Sequence, residues 1–164
     1  MSTAVFHRIA IVGLGGIGAS LGLALKRAAY RARLVGIDNA ESLSKAKQIG
    51  AVDDTCTSWQ EGIAGADFVF LNTPMPEAER LIPQIARDLP EGAVLSDATP
   101  LKLKISNILR ADEKRRFAYV GLHVLRPASE EGLEGASPRY CLRARRTPRQ
   151  PSSGLKARDF SQGS

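Results

Sequence analysis

Apolar residues in this 164-residue chain come in short blocks that alternate between two spacings. The run RIAIVG (8–13) is a compact apolar block closed by glycine, which predicts a strand. In the next block, 17–28, Ile17, Leu21, Ala24, Leu25 and Ala28 recur at helical spacing. The pattern then repeats. RLVGID (33–38) predicts a strand and 40–50 a helix closed by Gly50. ADFVFLNTP (66–74) predicts a buried strand stopped by Pro74, followed by a helix over 76–90 with a kink or restart at Pro83. GAVLSDA (92–98) predicts a strand, 101–110 a helix, and FAYVGLH (117–123) a last strand. Strands alternating with helices imply an α/β fold: a Rossmann-type, doubly wound parallel sheet covered on both faces.

The pattern stops near Pro138. Residues 139–164 contain no Ile or Val and are rich in Arg, Ser, Gly and Pro. Such a segment buries too little apolar surface to offset its ordering entropy, so a disordered basic tail is expected after a 1–138 domain. The charge distribution changes at the same place. The formal net charge of +6 suggests nucleic acid at first sight. Yet residues 1–138 hold 16 basic and 16 acidic side chains, and the tail alone carries the excess. The folded body therefore makes no electrostatic case for nucleic acid. No apolar run is long enough to predict a membrane span. The N-terminal apolar stretch is broken at once by glycines, so it predicts a first strand and not a signal peptide. Cys56 and Cys141 lie far apart without metal-type spacing, which makes a reduced, cytoplasmic protein the expectation and no metal site.

Candidate chemistry starts at IVGLGGIG. Gly13, Gly15 and Gly18 have the G-x-G-x-x-G spacing, with Leu14, Gly16 and Ile17 between them. The spacing alone is weak. Here it follows a predicted strand and opens a predicted helix, and Asp38 ends the next strand 20 residues after Gly18. Gly13 allows a tight turn, Gly15 allows the backbone to approach a pyrophosphate, and Gly18 allows the helix to pack closely. The helix N-terminus then offers free N–H groups and a positive dipole end to phosphates. Asp38 would accept hydrogen bonds from the adenosine ribose and repel a 2′-phosphate, which favours NAD over NADP. Thr73 and Pro74, ending the 66–74 strand, are expected to line the path to the nicotinamide end; Thr73 or Asn72 could equally cap the following helix.

The ordered run of IAIVGLGGIGASLGLALKR, VGID, GAVDD, GADFVFLNTP, GAVLSDATPLK and YVGLHVLRPASEEGLEGA resembles the prephenate/arogenate dehydrogenases of tyrosine biosynthesis over residues 8 to about 136. The resemblance implies an NAD(P)-binding first domain, a helical second domain that makes a homodimer, and oxidative decarboxylation of prephenate or arogenate. His123 matches the family histidine that polarises the ring hydroxyl, and Gly132 a glycine shortly downstream. Asp97 and Lys102 match the ends of a D-x-x-S-x-K motif whose serine assists at the nicotinamide end. Pro100 stands where that serine belongs, and Val124 to Pro127 replace P-M-x-G. His123 is therefore the candidate proton acceptor, with a loop histidine bonded only to backbone as the other reading. Arg126 reads as a solvated loop arginine and His7 as a surface residue.

The helical domain that the family implies has no counterpart in residues 139–164. Composition, charge and resemblance change together near residue 138, so a frameshifted or truncated chain is expected, with a basic functional tail as the alternative. Two rival functions stay open: another NAD(P) dehydrogenase, such as a β-hydroxyacid dehydrogenase, and a non-catalytic NAD-binding module.

Overall fold

A computed structural model gives the fold and describes residues 5–100, 102–110, 116–123, 133, 135–138 and 145–146. The order is β1 (Arg8–Val12), α1 (Gly16–Arg27), β2 (Arg33–Ile37), α2 (Ala40–Gln48), β3 (Asp54–Cys56), α3 (Trp59–Ile63), β4 (Phe68–Leu71), α4 (Met75–Asp88), β5 (Val94–Asp97), α5 (Lys102–Arg110), β6 (Ala118–His123) and β7 (Arg145–Arg146). The strands form one sheet in the order β3-β2-β1-β4-β5-β6-β7. All pairs from β3 to β6 are parallel, and β7 is antiparallel to β6. This is the expected doubly wound sheet.

Alternation along each central strand feeds two separate cores. Ala10 and Val12 of β1, Val35 and Ile37 of β2, and Val69 and Leu71 of β4 point to one face. There they meet Ile63 of α3, Leu81, Ile82 and Ile85 of α4, and Ile105 and Leu109 of α5. Ile9, Ile11, Leu34 and Phe70 point to the other face, against Ala19 of α1 and Leu43 and Ala46 of α2. Because both faces are covered, the strands read as unbroken apolar runs in the sequence.

Three local differences from the sequence reading have clear causes. β3 and α3 were not expected. β3 is the three-residue edge strand DTC, too short and polar to show a period, and it exists because β2 supplies its ladder. α3 is five residues long and is started by the Ser58 side chain, which accepts from the Glu61 N–H; Ser58 and Glu61 form the S-x-x-E pattern of a capping box. Pro83 does not restart α4, which runs through it from Met75 to Asp88 with Ile82 and Ile85 buried on either side. The expected disordered tail lies outside the described residues, apart from Arg145 and Arg146, which form β7. Among the described residues no helix is long and apolar enough to cross a membrane.

Two helices end in the same motif with different residues. After α2, Gly50 takes φ +73°, its N–H donates to Lys47 O, and the Ala51 N–H donates to Ala46 O. After α1, Ala29 takes φ +51°, with Ala29 N–H on Lys26 O and Tyr30 N–H on Leu25 O. An alanine is sterically strained in this left-handed conformation, and glycine is not. Gly22 is constrained differently: a Cβ there would sit 2.1 Å from Ala51 O, so α1 touches the 49–52 loop backbone to backbone. Ala29→Gly is therefore expected to stabilise the fold by about 0.5–1 kcal/mol, and Gly22→Ala to destabilise it by about 2 kcal/mol. Urea unfolding midpoints read both, and unchanged midpoints would contradict the assignment.

Candidate functional site

The sheet order reverses beside β1, whose neighbours are β2 on one side and β4 on the other. In open parallel sheets the crevice for ligands lies at the carboxyl ends of the strands at such a point. The glycine turn sits there. Gly13 has φ +92°, donates its N–H to Ile37 O at 2.9 Å, and has no room for a Cβ, which would fall 2.2 Å from Asn72 O. Leu14 is wholly buried and anchors the turn in the core. Gly18 brings α1 onto the turn, since a Cβ would lie 2.0 Å from Gly13 O. Gly15 differs from both. Its φ of −65° suits any residue, and a Cβ would meet only Asn72 Nδ2, at 3.9 Å. Among the described residues the space in front of Gly15 is open.

Gly15 is also the N-cap of α1, and among the described residues no side chain caps that end. The first turn carries no acidic residue, while Lys26 and Arg27 sit in the last turn. The first N–H groups of the helix, from Gly16, Ile17 and Gly18, have no intrahelical partner by construction and lie at the positive end of the helix dipole. An anion would satisfy both.

Asp38 follows β2 and holds this turn in place. Its Oδ2 accepts from the Leu14 N–H at 2.7 Å, and its Oδ1 accepts from Asn39 N–H at 2.7 Å and Asn39 Nδ2 at 2.8 Å. On the other flank, Asn72 donates from Nδ2 to Gly13 O at 3.4 Å and from its N–H to Val12 O at 2.7 Å. Neither Asn72 nor Thr73 caps α4. Its N-cap is Pro74, with no side-chain cap bond. The Thr73 hydroxyl is instead buried with no hydrogen-bond partner among the described residues. A buried polar atom left so costs about 1–3 kcal/mol, a cost that a ligand donor or acceptor would remove.

Beyond β4, the end of β5 carries Asp97, wholly buried. Its Oδ1 accepts from Thr99 N–H at 2.8 Å, from the Thr99 hydroxyl, and from Lys102 Nζ at 2.6 Å; its Oδ2 accepts from the Tyr119 hydroxyl. The Thr99 hydroxyl is turned inward to Asp97, while Pro100 is exposed. Burial lowers the Lys102 ammonium from its ordinary value, and the bond and charge of Asp97 oppose that. Burial raises the Tyr119 phenol well above its ordinary value, and Asp97 adds to the rise. Sequence reasoning missed Asn72 and Tyr119 as members of these clusters. It also missed Ser20, whose buried hydroxyl donates to Gly16 O and accepts the Ser137 N–H at 2.8 Å, tying the segment after β6 to the first turns of α1.

His123 is the last residue of β6, where its backbone pairs with Arg145. The order β1-β4-β5-β6 puts it roughly 15 Å across the sheet from β1, at about 4.8 Å per strand. Arg126, Val124 to Pro127 and Gly132 lie outside the described residues. His7 is exposed, as expected. Among the described residues no group of acidic, His or Cys side chains is placed to hold a metal. A groove of about 600 Å³ lies away from the glycine turn, between α2 and β3, where Leu43, Lys47, Cys56 and Glu61 line it.

The protonated Tyr119 phenol makes the fold lose stability in alkali. Above pH about 10 the unfolded chain releases the phenol proton while the folded chain keeps it, so stability is lost as pH rises. Tyr119→Phe removes this loss. The stability gap between wild type and Tyr119→Phe is expected to shrink between about pH 8 and about pH 11 in urea unfolding. A constant gap would mean that Asp97 and burial do not hold the phenol protonated.

Residues 21–143 match the family model for the prephenate dehydrogenase nucleotide-binding domain. The prephenate dehydrogenase of Bacillus subtilis is 27% identical over 130 residues, 78% of this chain and 35% of that protein. That of Lactococcus lactis is 30% identical over 133 residues, 79% of this chain and 37% of that protein. The chain thus spans little more than a third of these relatives. A crystal structure of prephenate dehydrogenase from A. aeolicus, in complex with hydroxyphenyl propionate and NAD+, superposes with TM-score 0.67 at 28% identity, covering 84% of this chain and 47% of that one. A 3-hydroxyisobutyrate dehydrogenase of Mycobacterium tuberculosis, 18% identical, shares the fold with TM-score 0.65 over 82% of this chain and 53% of its own. With residues 21–143 matched by its nucleotide-binding domain, the chain belongs to the prephenate dehydrogenase family.

Proposed function

We propose that this chain binds NAD across the carboxyl ends of β2, β1, β4, β5 and β6 and forms the cofactor half of an oxidative decarboxylation of prephenate or arogenate. The observation that carries the reading is the pair of unmet needs at the switch point: an uncapped α1 beside the open space at Gly15, and the unpartnered Thr73 hydroxyl. Both fit a dinucleotide. Gly15 to Gly18 would hold the pyrophosphate, and Thr73 and Pro74 would border the path to the nicotinamide. Asp38, already fixing Leu14, would take the ribose hydroxyls and disfavour a 2′-phosphate.

When bound, NAD supplies a hydride acceptor for the ring carbon bearing the hydroxyl. His123 would accept the hydroxyl proton at the end of β6. The carboxylate on the opposite ring carbon leaves as CO2, and its electron pair completes the aromatic ring. A cytoplasmic location and small-molecule partners alone belong to the same reading. A second reading, a non-catalytic NAD-binding module, is favoured by one observation: Pro100 offers no hydroxyl and that of Thr99 is committed to Asp97. Turnover of prephenate or arogenate by the chain would exclude it.

Gly15→Val separates binding from folding, because a Cβ there meets only Asn72 Nδ2, at 3.9 Å, and the side chain would stand where the ligand passes. Calorimetric titration of the full chain is expected to show NAD bound at least about tenfold more tightly than NADP. Gly15→Val should abolish binding while shifting the unfolding midpoint little. NAD bound equally by the variant would contradict the reading.

A further inference from the structure

Asp97 is the one buried charged side chain among the described residues. A buried carboxylate is costly unless its oxygens are paired, and here they receive four hydrogen bonds. Two of the donors are near in sequence, Thr99 in the β5–α5 turn and Lys102 at the start of α5, but the third, Tyr119, comes from the neighbouring strand β6, 22 residues away. Lys102 Nζ also donates to the Asp97 carbonyl at 2.8 Å, closing the turn on itself.

The grip extends to the end of β6. Asp97 stands in register with Gly121, two residues before His123. A Cβ on Gly121 would lie 3.0 Å from Lys102 Cδ and 3.2 Å from the Tyr119 hydroxyl, so both side chains lie across that glycine. A slip of one residue there would carry His123 about 3.3 Å along the strand. Across the sheet, Asp38 follows β2, the glycine turn follows β1, Thr73 follows β4 and Asp97 ends β5. The cluster therefore stands on the opposite side of the glycine turn from Asp38.

We propose that Asp97, Lys102 and Tyr119 are positioning residues that lock the ends of β5 and β6 together, and thereby set the 97–100 turn and His123 to receive the nicotinamide half of the dinucleotide. This rests on the NAD reading above. The cluster acts through backbone placement, and Tyr119 serves as a permanent donor because its phenol stays protonated.

The test uses two ligands on the full chain. NAD spans the whole crevice, whereas ADP carries only the adenosine and pyrophosphate. Dissociation constants for both are measured by calorimetry for wild type, Tyr119→Phe and Lys102→Met. Tyr119→Phe removes a single hydroxyl, so it keeps the test open if Lys102→Met unfolds. Both variants are expected to weaken NAD at least about fivefold while leaving ADP within about twofold. Equal weakening of NAD and ADP marks a merely structural cluster and overturns the inference. Unchanged NAD affinity, with wild type binding normally, overturns it too while leaving the NAD reading intact. Wild type that binds no NAD overturns both.

Discussion

The turn between β1 and α1 is held from three sides, and the rest of the site depends on how. Ile37 O takes the Gly13 N–H, the Asp38 carboxylate takes the Leu14 N–H, and Asn72 presses its backbone against Gly13. Gly18 completes the closure from within the helix. These contacts occupy the donors at Gly13 and Leu14 and leave the first turn of α1 with none of its N–H groups capped by a side chain. Two strands flank β1 in opposite crossover directions, so the uncapped end opens into the crevice between them rather than onto a packed face. A preorganised anion site follows from sheet topology together with the lack of a side chain at three positions.

Much of this was legible in the sequence because it rests on short-range sterics. Gly13 must be glycine for its positive φ and its contact with Asn72, Gly18 for its contact with Gly13, and the spacing carries both. The α/β alternation was legible because each long helix buries one face and shows its period, while each central strand reads as an unbroken apolar block. β3 was not, because three residues of an edge strand show no period. α3 was missed although Ser58 and Glu61 mark its start. Of the kink or restart expected at Pro83, the restart does not occur, because packing of Ile82 and Ile85 carries α4 through it.

The polar clusters were less legible, for a different reason. Asp97 and Lys102 are five residues apart and visible as a pair, but Tyr119 joins them only through the β5–β6 register. Ser20 meets Ser137 across 117 residues. No local pattern encodes such contacts. Thr73 was noticed as a strand-end residue, yet the informative fact, that its buried hydroxyl has no partner, is a property of the folded surroundings alone. His123 ends β6 as the sequence suggested, and the register of Gly121 with Asp97 ties its position to the buried cluster.

The central claim is that a dinucleotide occupies the glycine-turn crevice. Two-dimensional amide NMR of the full chain, titrated with NAD, tests it most directly. The expected result is that the largest shifts fall on Gly15 to Gly18, Asp38 and Thr73, with smaller ones along the ends of β5 and β6. Shifts confined to the groove between α2 and β3, at Leu43, Lys47 and Cys56, or no shifts at all, would contradict it.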